Sequence, residues 1–282
     1  MGFLDERCVS WLLPVLWSRD AGKEACGDTV DAKHCERRLD MAEAMEMGLA
    51  RELVTDFVRP LRRSRQLWKF HVERSDDRLQ YRLFCNDGQF LMCAKASRES
   101  RQVDFFLYDP ESREQVAHDA DRSAFTMSCS SSTAEWGLVR ERCDCCHYAP
   151  RHLSCACRGK PEVARVRHAL RPVGDGINHC MDVELFEDTS HLNGSECGTR
   201  VHNLVTKLPA WNHDLNSLVL DFIGRPVLPS TSNFQLVTEG SHEHVVCQCA
   251  KIGPSTFGLD FMYPLTVTQA FGAAVTAFLR TE

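Results

Sequence analysis

Pro264-Leu265-Thr266-Val267-Thr268-Gln269-Ala270-Phe271-Gly272-Ala273-Ala274-Val275-Thr276-Ala277-Phe278-Leu279 contains no charged side chain. Placed on a helix, Leu265, Val267, Ala270, Phe271, Ala273, Ala274, Val275, Ala277, Phe278 and Leu279 cover every face. A helix apolar all round is either enclosed by protein or crosses a membrane. This run rises only about 22 Å, short of the hydrocarbon thickness, and Gln269 interrupts it. Enclosure is therefore the expectation. Whatever surrounds a single dry helix has to curl around it, with alanines and Gly272 admitting close neighbours and Phe271 and Phe278 filling wider gaps.

The preceding chain supplies material that curls. After Pro60 it reads as short β segments: Leu67–Val72, Tyr81–Cys85, Gln89–Ala94, Phe105–Tyr108, Ala124–Ser128, Trp136–Arg142, Leu153–Cys157, Ser217–Phe222, Asn233–Val237 and Val245–Lys251. Asn86-Asp87-Gly88 joins two of them with residues that tolerate the positive φ of tight hairpins. Residues 172–203, with Gly174, Gly176, Gly194 and Gly198, read as loop-bearing insertions. Even spacing of short strands predicts an all-β barrel or sandwich. The predicted fold class is mostly β: a closed antiparallel barrel enclosing a hydrophobic C-terminal helix, with an N-terminal helical extension.

That extension occupies residues 1–58, and the barrel domain 59–282. Asp31 caps and Pro60 ends a helix over about 31–58, with Leu39, Ala42, Met45, Leu49, Leu53 and Phe57 on one face. Such a helix packs on its own domain or binds a partner. Residues 1–58 hold 7 Lys/Arg against 12 Asp/Glu, so most of the net charge of −6 lies there. The remainder, near neutral, shows no basic surplus of a nucleic-acid binder. The apolar stretch Val9–Trp17 follows Asp5 and Glu6 and lacks a cleavage pattern, which does not describe a secretory signal. With 15 cysteines, an odd number, the expectation is a cytosolic protein with mostly buried thiols.

Several motifs resemble the tubby-like family. Lys207-Leu208-Pro209-Ala210-Trp211-Asn212, Ser217 through Phe222-Ile223-Gly224-Arg225, and Ser232-Asn233-Phe234-Gln235-Leu236-Val237 are similar to its Pro-x-Trp-Asn, Phe-x-Gly-Arg and Lys-Asn-Phe-Gln succession. Phe257, Tyr263-Pro264-Leu265 and Gln269-Ala270-Phe271 resemble its ending. Pro150-Arg151-His152-Leu153 is a weaker likeness. The resemblance is specific over about 205–279, and extends over roughly 60–282. It implies a barrel threaded by its C-terminal helix, no catalysis, no cofactor, and binding of phosphatidylinositol bisphosphate. It also implies a transport-complex partner for the helix 31–58, reversible membrane association, and trafficking of membrane cargo toward a cilium or flagellum. The alternative is an interaction module of the same fold that has lost lipid binding.

The family's lipid site follows a Phe-Leu-Leu-Ala segment, here Phe90-Leu91-Met92-Cys93-Ala94. Carried over, the site is Lys95, Arg98 and Arg101, with Gln80 on the preceding strand. Converging cations suit phosphate, Arg as a fork and Lys as a point charge. Strict strand alternation turns Arg98 away from the other two. Ala96 and Ser97 stand where the family has bases, Glu99 adds a like charge, and Ala117 or His118 replaces a further Arg. A second basic cluster, Arg59, Arg62, Arg63 and Arg65, is a candidate support for anionic lipid.

Cys143, Cys145, Cys146, His147, His152, Cys155 and Cys157 lack zinc-finger spacing, so buried thiols are expected there, with a metal site or redox sensing as alternatives and no metal ligand assigned. Cys247 and Cys249 alternate on a strand and read the same way. The chain carries no Gly-x-Ser-x-Gly, phosphate loop, His-Glu-x-x-His or dinucleotide fingerprint.

Overall fold

The computed structural model describes residues 41–48, 57, 59–108, 123–130, 134–141, 161–173, 176–188, 199–213, 217–241 and 244–280. All fall in one compact unit, Leu39–Glu282. A short helix, α1 (Met41–Glu46), precedes the strands β1 (Trp68–Arg74), β2 (Gln80–Cys85), β3 (Phe90–Ser97), β4 (Gln102–Leu107), β5 (Phe125–Cys129), β6 (Glu135–Arg140), β7 (Glu162–Val173) and β8 (Gly176–Asp188). Then come β9 (Thr199–Thr206), β10 (Ala210–Asn212), β11 (Ser217–Val219), β12 (Phe234–Thr238), β13 (Val245–Lys251), β14 (Thr256–Phe261) and α2 (Val267–Arg280). Every strand except β10 and β11 joins a closed barrel in the order β1-β14-β13-β12-β9-β8-β7-β6-β5-β4-β3-β2, with antiparallel neighbours throughout.

The uncharged C-terminal run is α2, and each residue from Val267 to Phe278 is buried. Period-two alternation turns Tyr81, Leu83 and Cys85 of β2 inward and leaves Gln80, Arg82 and Phe84 less buried. Phe278 stacks on Tyr81 and packs against Phe257, while Phe271 meets Phe105 edge-on. Gln269 has a structural role. Its side-chain oxygen accepts from the Thr266 amide (3.0 Å), and its own amide donates to the Thr266 hydroxyl (3.1 Å). This reciprocal cap satisfies donors that the first turn of a buried helix would leave orphaned. The Gln269 side-chain amide then donates to the Val163 carbonyl (2.8 Å), tying the helix start to the wall.

A polar row fastens a strap to the outside of the barrel. Gln235, Gln248, Asp260 and Lys69 are successive cross-strand neighbours on β12, β13, β14 and β1. The strap 221–225 lies over them. Gln235 donates to the Asp221 carbonyl (2.7 Å), Gln248 both donates to and accepts from the Ile223 backbone, and Lys69 donates to the Gly224 carbonyl (3.3 Å). Arg225 Nη2 and Nε donate to Asp260 at 2.6 and 2.9 Å, and Nη2 also reaches the Phe70 carbonyl. Asp260 is 1% exposed, so this charge is held by its partners rather than by water. Gly258 makes the approach possible: a Cβ there would lie 2.7 Å from Arg225 Cδ.

The strands β7 (Glu162–Val173), β8 (Gly176–Asp188) and β9 (Thr199–Thr206) replace much of the expected loop insertion at 172–203. Their outward positions carry charge, which hides the alternation of Ala164, Val166, Val183 and Leu185. Arg165, for example, sits 2.6 Å from Glu162, 3.1 Å from Glu184 and 3.5 Å from Glu135. Of the expected strand Ser217–Phe222, only Ser217–Val219 is extended, paired with β10 outside the barrel. The expected helix 31–58 does not run unbroken: α1 ends at Glu46 in a turn where Gly48 takes φ 70°, a conformation that terminates helices. Ala44 is fully buried and Met45 packs on the core, so this part of the helix covers its own domain. Residues 31–40, 49–56, 58 and the stretch 143–157 lie outside the described residues. Cys85, Cys93, Cys180, Cys247 and Cys249 are buried, and burial pushes the Cys93 thiol up to about 11.

Asp260→Ala strands the Arg225 guanidinium and should cost about 3–5 kcal/mol in urea unfolding. The exposed Lys69→Ala should stay within about 1 kcal/mol of the parent. Equal, small losses for both would remove the row as the strap's fastening. Gln269→Ala should cost about 1–3 kcal/mol, because the buried Thr266 amide and the Val163 carbonyl lose their partner.

Candidate anion-binding rim

Two tight turns shape one end of the barrel. The β1–β2 turn carries Asp76, Asp77 and Arg78. The β3–β4 turn is Arg98-Glu99-Ser100-Arg101, closed by the Ser97–Gln102 pair. Between them lies a cleft of about 710 Å³ lined by Asp76, Asp77, Arg78, Arg98, Arg101 and the Trp136 ring, with Leu279 of α2 among its walls.

Arg78 and Arg101 adopt φ of 61° and 50°, a left-handed backbone uncommon for side chains of this size. Each is held there by the barrel. The Tyr81 hydroxyl donates to the Arg78 carbonyl (2.8 Å), and the Cys129 amide donates to the Arg101 carbonyl (3.1 Å). Arg98 donates to the Asp77 carbonyl (3.2 Å) and so ties one turn to the other. The Asp77 carboxylate accepts from the Ser75 hydroxyl and the Leu79 amide, and these bonds hold its pKa below the usual carboxylate value. Three arginines against two aspartates give the lining a small positive balance. Strain retained in two cationic turns facing one cleft marks the rim as the candidate site.

The sequence-predicted residues divide. Arg98 and Arg101 line the cleft; being in a turn, neither follows the strand alternation that separated them. Lys95 and Gln80 pair across β3 and β2 on the outer wall, roughly 7 Å of strand below the rim. Lys95 Nζ lies 5.1 Å from the Phe106 ring centroid, and its other cross-strand neighbour is Asp104. Arg78 was not foreseen. Its only sequence signal is a base between Asp77 and a β segment, which looks like an ordinary solvated turn. Ala117 and His118 lie outside the described residues.

Arg59, Arg62, Arg63 and Arg65 lie at the other end of the barrel. They precede β1, whose far end reaches the cleft, and their segment borders the start of α2: Leu61 donates to the Leu265 carbonyl, and Thr268 to that of Phe57. About 21 Å of helix separates the two ends. Arg62 is engaged by Glu46 (3.1 Å) and Glu43 (4.0 Å), and Arg63 stacks 4.7 Å from the Tyr263 ring centroid. This cluster cannot share one headgroup with Arg98. Among the described residues, no group of His, Cys, Asp and Glu is arranged to hold a metal ion.

A family model described as the Tub family matches residues 102–279. The chain is 44% identical over 75 residues to Tubby protein homolog 1 of Caenorhabditis elegans, covering 27% of this chain and 18% of that protein. It is 30% identical over 156 residues to Tubby-like F-box protein 5 of Oryza sativa subsp. japonica, covering 46% and 36%. It is 40% identical over 78 residues to Tubby-related protein 3 of Homo sapiens, covering 28% and 17%. The chain thus spans between about a sixth and about a third of the length of these relatives.

His168, at the same rim, is half-buried, with both ring nitrogens shielded from water and neither bonded among the described residues. Burial, then the nearby Arg280 and His179, lower its pKa to about 4. In the unfolded chain it takes a proton near pH 6.5, so between there and pH 4 the unfolded state binds more protons and folding weakens as pH falls. His168→Leu should recover up to roughly 3 kcal/mol at pH 4 relative to pH 7 in chemical unfolding. Identical pH slopes for parent and variant would refute this.

Proposed function

The chain belongs to the Tub family, and from that membership and the rim cleft we propose that it is a non-enzymatic adaptor docking on phosphoinositide membranes. The observation that carries this reading is the convergence of Arg78, Arg98 and Arg101, two of them in strained backbone, on one solvent-open cleft. Phosphate oxygens on adjacent inositol carbons suit guanidinium forks spread over two turns. Lys95, below on the wall, adds a point charge for a membrane lying against the rim. The docked domain carries membrane cargo toward a cilium or flagellum, with a transport-complex protein recruited through residues 31–58, as the family resemblance implies.

Asp76 and Asp77 in the same cleft favour a second reading, in which the rim satisfies its own charges and the fold serves protein partners only. Vesicle co-sedimentation separates the two. The adaptor reading expects stronger binding to phosphatidylinositol bisphosphate vesicles than to phosphatidylserine vesicles, weakening as salt rises. Arg98→Ala with Arg101→Ala should reduce it roughly 10- to 100-fold. Asp77→Asn keeps the turn's acceptor, removes a like charge, and should strengthen binding a few-fold. Equal binding to both vesicle types would leave the protein-only reading standing.

A further inference from the structure

β7 and β8 outrun the wall that holds them. β6 pairs with β7 as far as Arg167, where the His168 amide still donates to the Ala134 carbonyl, and β9 pairs with β8 from Asp182, where Thr206 Oγ1 still bonds the Met181 backbone. Beyond that, among the described residues, the two strands pair with each other, from His168–Met181 out to Val173–Gly176. The result is a two-stranded ribbon reaching roughly 15 Å past the wall. It leaves from the cleft end: Arg167 faces Glu135 at the start of β6, next to Trp136 of the cleft.

The register sorts the ribbon's side chains. Leu170 opposes His179 and Pro172 opposes Ile177, so these four share a face. That face continues the one that lines the barrel with Val166 and Met181, but here there is no interior to fill. Leu170 is 61% exposed and Ile177 74%. Exposed aliphatic Leu228 lines a groove of about 700 Å³ with Ile177, and exposed Leu208 precedes Pro209 of the same groove. At the ribbon's base Arg171 is paired with Asp182 at 2.6 Å. Partial burial, and then the charge of the nearby Arg280, lower the pKa of His179.

Resting on the phosphoinositide reading of the rim, we propose that this ribbon is the apolar half of the docking surface, its Leu170–Ile177 face lying in the headgroup–acyl boundary of the same bilayer. The bases of the cleft and the aliphatic face belong to one end of the molecule, so one membrane meets both, and an anionic bilayer is the occupant with matching charge. Insertion is shallow. Beyond Ala169 and Cys180 the ribbon's outer edges pair with no strand among the described residues, and backbone groups of that kind must stay near water. The connecting sequence contains Asp175, so a face enters rather than the tip. His179 and Arg280 then stand at headgroup level. A depth of about 5–10 Å, usual for interfacial segments, is enough to cover two aliphatic side chains.

The test pairs two ligands with two variants of the full chain. Leu170→Ser with Ile177→Ser should lower affinity for phosphatidylcholine vesicles carrying a few per cent phosphatidylinositol bisphosphate by roughly 10- to 100-fold. It should leave calorimetric binding of soluble inositol trisphosphate and the melting temperature unchanged. Arg98→Ala with Arg101→Ala should weaken both ligands. Ile177→Trp should gain fluorescence quenched by lipids brominated on the acyl chain. Full vesicle affinity in the serine variant, with loss in the arginine variant, overturns the ribbon proposal and keeps the cleft reading. Loss in the serine variant alone keeps the ribbon and overturns the cleft. No added quenching in the Ile177→Trp protein also overturns the ribbon's insertion.

Discussion

The structure depends on keeping one helix dry. A helix without a polar face has no orientation in which it can meet water, so its surroundings must be continuous on all sides. An open sheet would leave a seam; a barrel closed by the β1–β14 pairing does not. Closure also leaves no unpaired edge in the wall to recruit another chain. The cost is that the start of the helix loses water as well, and Thr266 and Gln269 answer this there. The other end reaches the open rim, where Arg280 donates to the Thr231 carbonyl (2.8 Å).

The outer surface solves a different problem. Buried ionic groups are weak evidence for stability, because desolvation offsets much of their attraction. The Gln235–Gln248–Asp260 row is better understood as a fixture of position. It sets where the 221–225 strap crosses the wall, and the strap leads into the 227–231 segment beside the ribbon. Packing at mid-barrel and the shape of the cleft end are thereby connected through one chain segment.

Much of this was legible in the sequence, for physical reasons. The α2 run was plain because full enclosure tolerates no charge anywhere on the helix, and Tyr81–Cys85 and Phe90–Ala94 were plain because a turn with a glycine at φ 86° separates them. β7 and β8 were obscured because their outward faces are ion-paired and the sequence joining them carries Gly174 and Gly176, which imitates a loop. The candidate site was half visible. Arg98 and Arg101 announce themselves as bases after a buried strand, but the left-handed backbone that places Arg101 has no compositional marker. Arg78 stands beside two acids that mask it, and its role emerges only when the barrel brings positions 78 and 98 onto one rim.

The position of α2 in the chain orders events during synthesis. Every strand of the wall emerges from the ribosome before the helix it must surround. Until residues 267–280 appear, inward side chains such as Tyr81, Phe105 and Phe257 have nothing to close upon. The nascent wall can form hairpins between sequence neighbours, yet it cannot seal, since β1 must also wait for β14. The domain therefore acquires its core in a single late step, and a chain paused or cut shortly before that point would present a sheet with an apolar face to chaperones and proteases.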